Sequence, residues 1–171
     1  GSHAPAYDHR YPPAEAVFQP VCGEADLRRC TEEQIVNSYD NSIRYTDRVL
    51  AQAIDLLAAH AATHDVAMLY VSDHGESLGE HRLYLHGLPW RIAPDEQRKV
   101  PMVFWLSDGF GDRLALDEAC LRRRAAAPVA HDHVFHSVLG LLEIATSVRE
   151  PTLDLITPCR RHDLLAGNDR D

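Results

Sequence analysis

The residues best suited to chemistry lie in one stretch, "YVSDHGESLGEHRLYLHG", at residues 70–87. Asp73 and His74 follow directly on the apolar run "VAMLYV", where a buried strand ends and both side chains can project into a crevice above a sheet. A carboxylate beside an imidazole is a good ligand pair for Zn2+. Gly75 then lets the backbone turn away at once. Glu76 is placed to act as a ligand or as an acceptor behind one. His86, set between "LYL" and Gly87, can return to the same crevice. A lone Asp-His pair is also what a capped strand end with a satisfied histidine looks like, so the neighbours decide.

The elements that must position these residues are legible in outline. Residues 1–30 show no periodicity and read as an extended surface segment. "TEEQ" matches a capping box with Thr31 as N-cap and Gln34 reaching back. Ile35, Tyr39, Ile43, Val49, Leu50, Ala53, Ile54 and Leu57 then mark an amphipathic helix to about His60. "KVPMVFWLSD" reads as a second buried strand, 113–124 as a surface helix, and "HDHVFHSVLGLLEIA" as an amphipathic helix begun by Asp132. The tail from Pro151 onward is loop-like. Helices alternating with buried strands predict an α/β fold with a mostly parallel buried sheet flanked by helices.

Composition excludes several classes. The 171 residues carry a formal charge of −9, against the Lys/Arg surplus that a nucleic-acid binder needs. No apolar run approaches about 18 residues, so nothing predicts a membrane span. Of eleven histidines, most are expected at the surface. The four cysteines form no C-x-x-C pair, which argues against zinc-ribbon and thioredoxin chemistry. Cys22 and Cys30 bracket the short loop "CGEADLRRC" and read either as a local disulfide or as two free thiols. The opening Gly1-Ser2-His3 reads by itself as the remnant of a cleaved tag.

The stretches "GSHAPAYDHRYPP", "YDNSIRYTDRVL", "AMLYVSDHGESLGE", "YLHGLPWRIAPDEQRKVPMVFWLS", "HDHVFHSVLGLLE" and "LDLITPCR" resemble, in order, the lipid A phosphoethanolamine transferases, which include the mobile colistin-resistance enzymes. These belong to the alkaline-phosphatase/sulfatase-like superfamily. The resemblance makes His3 native rather than a scar. It implies a partial alkaline-phosphatase/sulfatase-like sandwich, with residues 1–171 as the carboxyl-terminal portion of a periplasmic catalytic domain at the inner membrane. It further implies a Zn2+ cofactor, with Asp73 and His74 as ligands of the principal zinc. His3 and His86 match histidines that bind the transferred phosphate group or a second zinc and assist proton transfer. Glu76 matches a carboxylate at the edge of the substrate site. The implied reaction takes phosphoethanolamine from phosphatidylethanolamine, through a zinc-activated threonine, to a phosphate of lipid A, conferring polymyxin resistance.

The amino-terminal membrane domain and the segment bearing that threonine have no counterpart in this sequence. Thr31 is a helix cap, Thr46 falls in mid-helix and Thr63 precedes the strand. The isolated chain is therefore expected to be inactive, with membrane contact made through the missing domain. The resemblance also implies Cys22–Cys30 and Cys120–Cys159 disulfides. The alternatives are another sulfatase-superfamily hydrolase, a phosphoethanolamine transferase acting on a different glycan, or an inert metal-binding fragment.

Overall fold

Thr31 starts the longest element of the computed structural model, which describes residues 2, 3 and 5–161. Gly1 and the end of the tail, 162–171, lie outside the described residues. The capping box forms as expected: the Thr31 amide donates to Gln34 Oε1 at 2.9 Å, and the Gln34 amide donates to Thr31 Oγ1 at 3.2 Å. Helix α1 then runs Glu32–His60. Its buried face is not the apolar stripe that periodicity suggests. The buried residues are Ile35, Ser38, Asn41 and Ser42, whereas Ile43 and Val49 are 43% and 45% exposed.

The reason lies in the segment before it. Residues up to 30 are not a loose surface arm, because three 3-10 turns, Tyr7–Arg10, Pro13–Glu15 and Leu27–Arg29, wrap them onto α1. A wrapped loop brings unpaired backbone groups that a helix face must satisfy. Asn41 does this on both sides, accepting from the Phe18 amide and donating to the Phe18 carbonyl, each at 2.9 Å. Ser38 Oγ accepts from the Cys22 amide at 2.7 Å, and Asn37 Nδ2 donates to the Pro20 carbonyl. Glu15 ion-pairs with Arg44 and Arg48 of α1. Tyr7, Cys22, Leu27 and Ile35 form the small core beneath, and a disulfide joins Cys22 to Cys30.

Strands β1 (Ala67–Val71) and β4 (Met102–Leu106) pair in a two-stranded sheet. The pairing corrects the expectation of a mostly parallel sheet. The Ser72 amide donates to the Pro101 carbonyl and the Ser107 amide to the Val66 carbonyl, so the end of each strand lies beside the start of the other. The two strands are antiparallel. A parallel return needs a long crossover, usually helical. The connection here instead holds the hairpin β2 (Ser77–Leu78) and β3 (Tyr84–Leu85) and the single-turn helix α2 (Asp95–Arg98). β2 and β3 are also antiparallel, with Ser77 opposite Leu85 and Leu78 opposite Tyr84. Neither long strand is fully buried, so their continuous apolar runs gave no sign of direction.

The described residues divide into two compact units, each taken by itself here: one up to His60 together with Met68–Trp105, the other Ala61–Ala67 together with Leu106 onward. In the second unit the expected 113–124 helix is two helices, α3 (Asp108–Arg113) and α4 (Glu118–Ala125), parted where Ala115 takes a φ of 49°. Asp117 caps α4 through the Ala119 and Cys120 amides. α5 (Asp132–Leu141) packs Gly140 against fully buried Asp154, where a Cβ would lie 2.0 Å from the carboxylate. Asp154 accepts from the Ile156 and Thr157 amides and the Thr157 hydroxyl. A second disulfide, Cys120–Cys159, ties α4 to this turn. No described helix is long and apolar enough to cross a membrane.

The polar face of α1 generates a contrast that urea unfolding can read. Asn41→Ala leaves the Phe18 amide and carbonyl without partners and is expected to cost about 2–3 kcal/mol. Ile43→Ala, which alters an apolar residue on the exposed face, should cost less than about 0.5 kcal/mol. Equal costs would show that the apolar stripe carries the helix after all.

Candidate metal centre

Asp73 and His74 lie just past the end of β1, and the turn that follows is fixed by backbone contact. Gly75 is needed there for room. A Cβ on it would stand 2.0 Å from the Glu96 carbonyl oxygen of α2, closer than any side chain tolerates. The Gly75 amide donates to the Gln97 carbonyl at 3.0 Å, and buried Gln97 donates through Nε2 to Ser77 Oγ at 2.9 Å. Helix α2 thus props the turn from behind.

The hairpin supplies the second imidazole. Its register, continued one residue outward, sets Glu76 opposite His86, and opposed residues in an antiparallel pair share a face. His86 Nδ1 and Glu76 Oε1 are accordingly 3.1 Å apart, with the Glu76 side chain only 3% exposed. His86 sits between two left-handed residues, Leu85 at φ 68° and Gly87 at φ 105°. A leucine in that region is strained by roughly 1–2 kcal/mol, which the surrounding hairpin must hold. His3 arrives from the far end of the sequence, its carbonyl accepting from Arg10 Nε at 2.9 Å.

Three imidazoles meet as a result. His3, His74 and His86 each offer a ring nitrogen, all within 4.8 Å of one another. The His74 and His86 rings stack with centroids 3.8 Å apart, and His3 stands edge-on to both. His74 Nδ1 lies 3.0 Å from the Gly75 carbonyl, an acceptor only, and His86 Nδ1 faces a carboxylate. Both acceptors place the ring proton on Nδ1 and leave the Nε2 lone pair free, the arrangement of metal-ligating histidines. Tetrahedral zinc with Zn–N of about 2.0–2.1 Å needs ligand nitrogens about 3.3 Å apart, so the cluster would tighten around an ion. This group can coordinate a metal.

Asp73 is placed differently. Its carboxylate is 89% exposed and outside the three-histidine group, with Oδ2 3.8 Å from His74 Nε2. Slight desolvation raises its pKa, but the amides of Asp73 and His74 and the His74 and His3 charges outweigh that, leaving it below the usual aspartate range. Behind the cluster, burial first and then the Glu76 charge hold the Tyr7 hydroxyl far above the ordinary tyrosine range, so it stays protonated. Sequence reasoning missed the supporting residues Arg10, Gln97 and Tyr7, and no local motif marks them.

Comparison with known proteins now has a site to attach to. The model of the family described as Sulfatase matches residues 1–144. The chain belongs to the sulfatase family. Among curated relatives it is 44% identical over 162 residues to the phosphoethanolamine transferase EptA of Salmonella typhimurium, covering 94% of this chain and 30% of that protein. It is 45% identical over 153 residues to the phosphatidylethanolamine transferase Mcr-1 of Escherichia coli, covering 89% of this chain and 27% of that protein. The crystal structure of the soluble domain of lipooligosaccharide phosphoethanolamine transferase A from Neisseria meningitidis superposes with a TM-score of 0.89 at 39% identity, covering 94% of this chain and 48% of the other. The chain thus spans under a third of the curated relatives and about half of that domain.

The buried carboxylate behind His86 yields the test of this centre. Glu76→Gln keeps the shape but no longer fixes the proton on His86 Nδ1. Zn2+ affinity by competition with a chromophoric chelator should fall about 10–100-fold, with thermal stability little changed. Unaltered affinity would remove Glu76 and His86 from the metal centre.

Proposed function

We propose that residues 1–171 are the carboxyl-terminal portion of the periplasmic catalytic domain of a zinc-dependent phosphoethanolamine transferase, which moves the phosphatidylethanolamine headgroup to a phosphate of lipid A. The observation that carries this reading is the pair of Nδ1 hydrogen bonds that leave the Nε2 lone pairs of His74 and His86 available, with the Asp73 carboxylate 3.8 Å from His74 Nε2. The similarity to EptA and Mcr-1 supplies the reaction class.

In this reading Asp73 and His74 Nε2 hold the principal zinc, which when bound supplies Lewis-acid polarisation of a phosphoryl group. His3 and His86 stand on the open side of the cluster. As neutral imidazoles they hold a second ion, and as imidazolium they donate hydrogen bonds to phosphoryl oxygens or protonate a leaving group. Glu76 orients His86 and borders the substrate. In this reading the nucleophilic threonine comes from a segment outside these residues; Thr31 caps α1 and Thr46 Oγ1 donates to the Ser42 carbonyl within it. Membrane attachment likewise belongs to a part outside them. A transferred group adds an ammonium to lipid A and so weakens attraction of cationic polymyxins. The family match itself favours one alternative, hydrolysis of a sulfate or phosphate ester by the same metal centre.

In the longer parent protein, Asp73→Ala should lower phosphoethanolamine-modified lipid A by at least about a hundredfold, roughly 2.7 kcal/mol of transition-state stabilisation. The 171-residue chain alone, given fluorescent phosphatidylethanolamine, should release no labelled diacylglycerol. Steady release abolished by Asp73→Ala would mean the nucleophile lies within this chain, and turnover of aryl sulfates by the parent would favour the hydrolase.

A further inference from the structure

Beyond His86 the chain forms a tip that the metal centre does not use. The Pro89 carbonyl accepts from the Ile92 amide at 2.9 Å and the Ala93 amide at 3.0 Å, closing a tight turn. Pro89 and Pro94 stiffen both sides, and buried Ala93 anchors its base. The turn presents Trp90 and Ile92 at 69% and 68% exposure, with Arg91 exposed between them. The Arg98 guanidinium lies 5.2 Å from the Trp90 ring centre. A rigid turn that holds two large apolar side chains in water is not made by core packing or by fraying.

We infer that this tip docks the protein on the headgroup layer of a phospholipid bilayer, a proposal that rests on the reading of the site as one that takes a membrane lipid. Tryptophan with flanking arginine suits the boundary between headgroups and acyl chains, where one end of the ring is apolar and the other wet. Charge complements this. Over residues 88–99, Arg91, Arg98 and Lys99 exceed Asp95 and Glu96 by one, on a chain whose total is −9. The tip is thus a locally cationic point on an acidic protein, and it can approach anionic lipid where the remainder is repelled. Trp90 is four residues from His86, a Cα separation of at most about 14 Å. A side chain buried in the interface by about 5–10 Å therefore brings the imidazole cluster close to the headgroups.

The test uses the whole 171-residue chain and vesicles, without zinc or turnover. In Trp105→Phe, where Trp90 is the remaining tryptophan, vesicles of phosphatidylethanolamine and phosphatidylglycerol should shift Trp90 emission to the blue. Lipids with brominated acyl chains should quench it. Trp90→Ser with Ile92→Ser should cosediment with these vesicles about tenfold less or weaker still, with an unchanged unfolding midpoint. Arg91→Glu should weaken binding about fivefold or more when phosphatidylglycerol is present, and little when it is replaced by phosphatidylcholine. Unchanged Trp90 emission at saturating lipid, wild-type cosedimentation of the double variant, or Trp90-dependent self-association without vesicle binding would each overturn the inference. Full transfer by the parent carrying the double variant would sink the tip and leave the transferase reading standing. Vesicle binding by a parent that transfers nothing would do the reverse.

Discussion

Two hydrogen bonds, from His74 Nδ1 to the Gly75 carbonyl and from His86 Nδ1 to Glu76, decide what the cluster can do. With the rings turned the other way, the same side chains would present N–H groups to one another and repel a cation. Each bond is held by structure further back. The Gly75 carbonyl is fixed because α2 approaches within a distance that only glycine allows. Glu76 is fixed by the β2–β3 register, and that hairpin is seated by Leu78, Tyr84 and Leu85 packing on the core of Tyr7, Cys22, Leu27 and Ile35. The core exists because the amino-terminal segment is bonded, carbonyl by amide, to the polar face of α1. From α1 to the imidazoles, each step constrains the next.

How much of this the sequence discloses depends on the range of the interaction. Local chemistry is legible: the capping box at Thr31 and Gln34 and the β1 end at Asp73 and His74 involve residues within a few positions. The sheet direction is not, because an apolar run such as "VAMLYV" has no polarity of its own and the connection decides it. The buried face of α1 is hidden for a different reason. Its partners are backbone groups 16 to 23 residues away, which favour Ser38 and Asn41 over leucine. Amphipathic reading assumes that buried means apolar, and here that assumption fails. His3 is the extreme case, since nothing near it in sequence links it to residues 74 and 86.

In the proposed reading the Asp73-His74 pair serves metal chemistry at a phosphoryl centre. The continuation through Gly79, the strained hairpin and His86 carries the chain from that pair back to the imidazole cluster. The strained Leu85 and the left-handed Gly87 aim one imidazole at the site and then carry the chain directly into the exposed Trp90 turn. Catalytic orientation and lipid contact are thereby specified by one short stretch in the proposed reading.

The central claim is that His74 and His86 present Nε2 to a metal because their Nδ1 atoms are occupied. Crystals of the chain grown with Zn2+, with diffraction recorded on both sides of the zinc absorption edge, test it directly. The account predicts anomalous density at the imidazole cluster, with His74 bound through Nε2 to a zinc that Asp73 also binds, any ion at His86 likewise held through Nε2, each Zn–N bond at about 2.0–2.1 Å, and the Nδ1 bonds to Gly75 and Glu76 retained. A zinc-loaded crystal without a peak there, or with ligation through Nδ1, would contradict it.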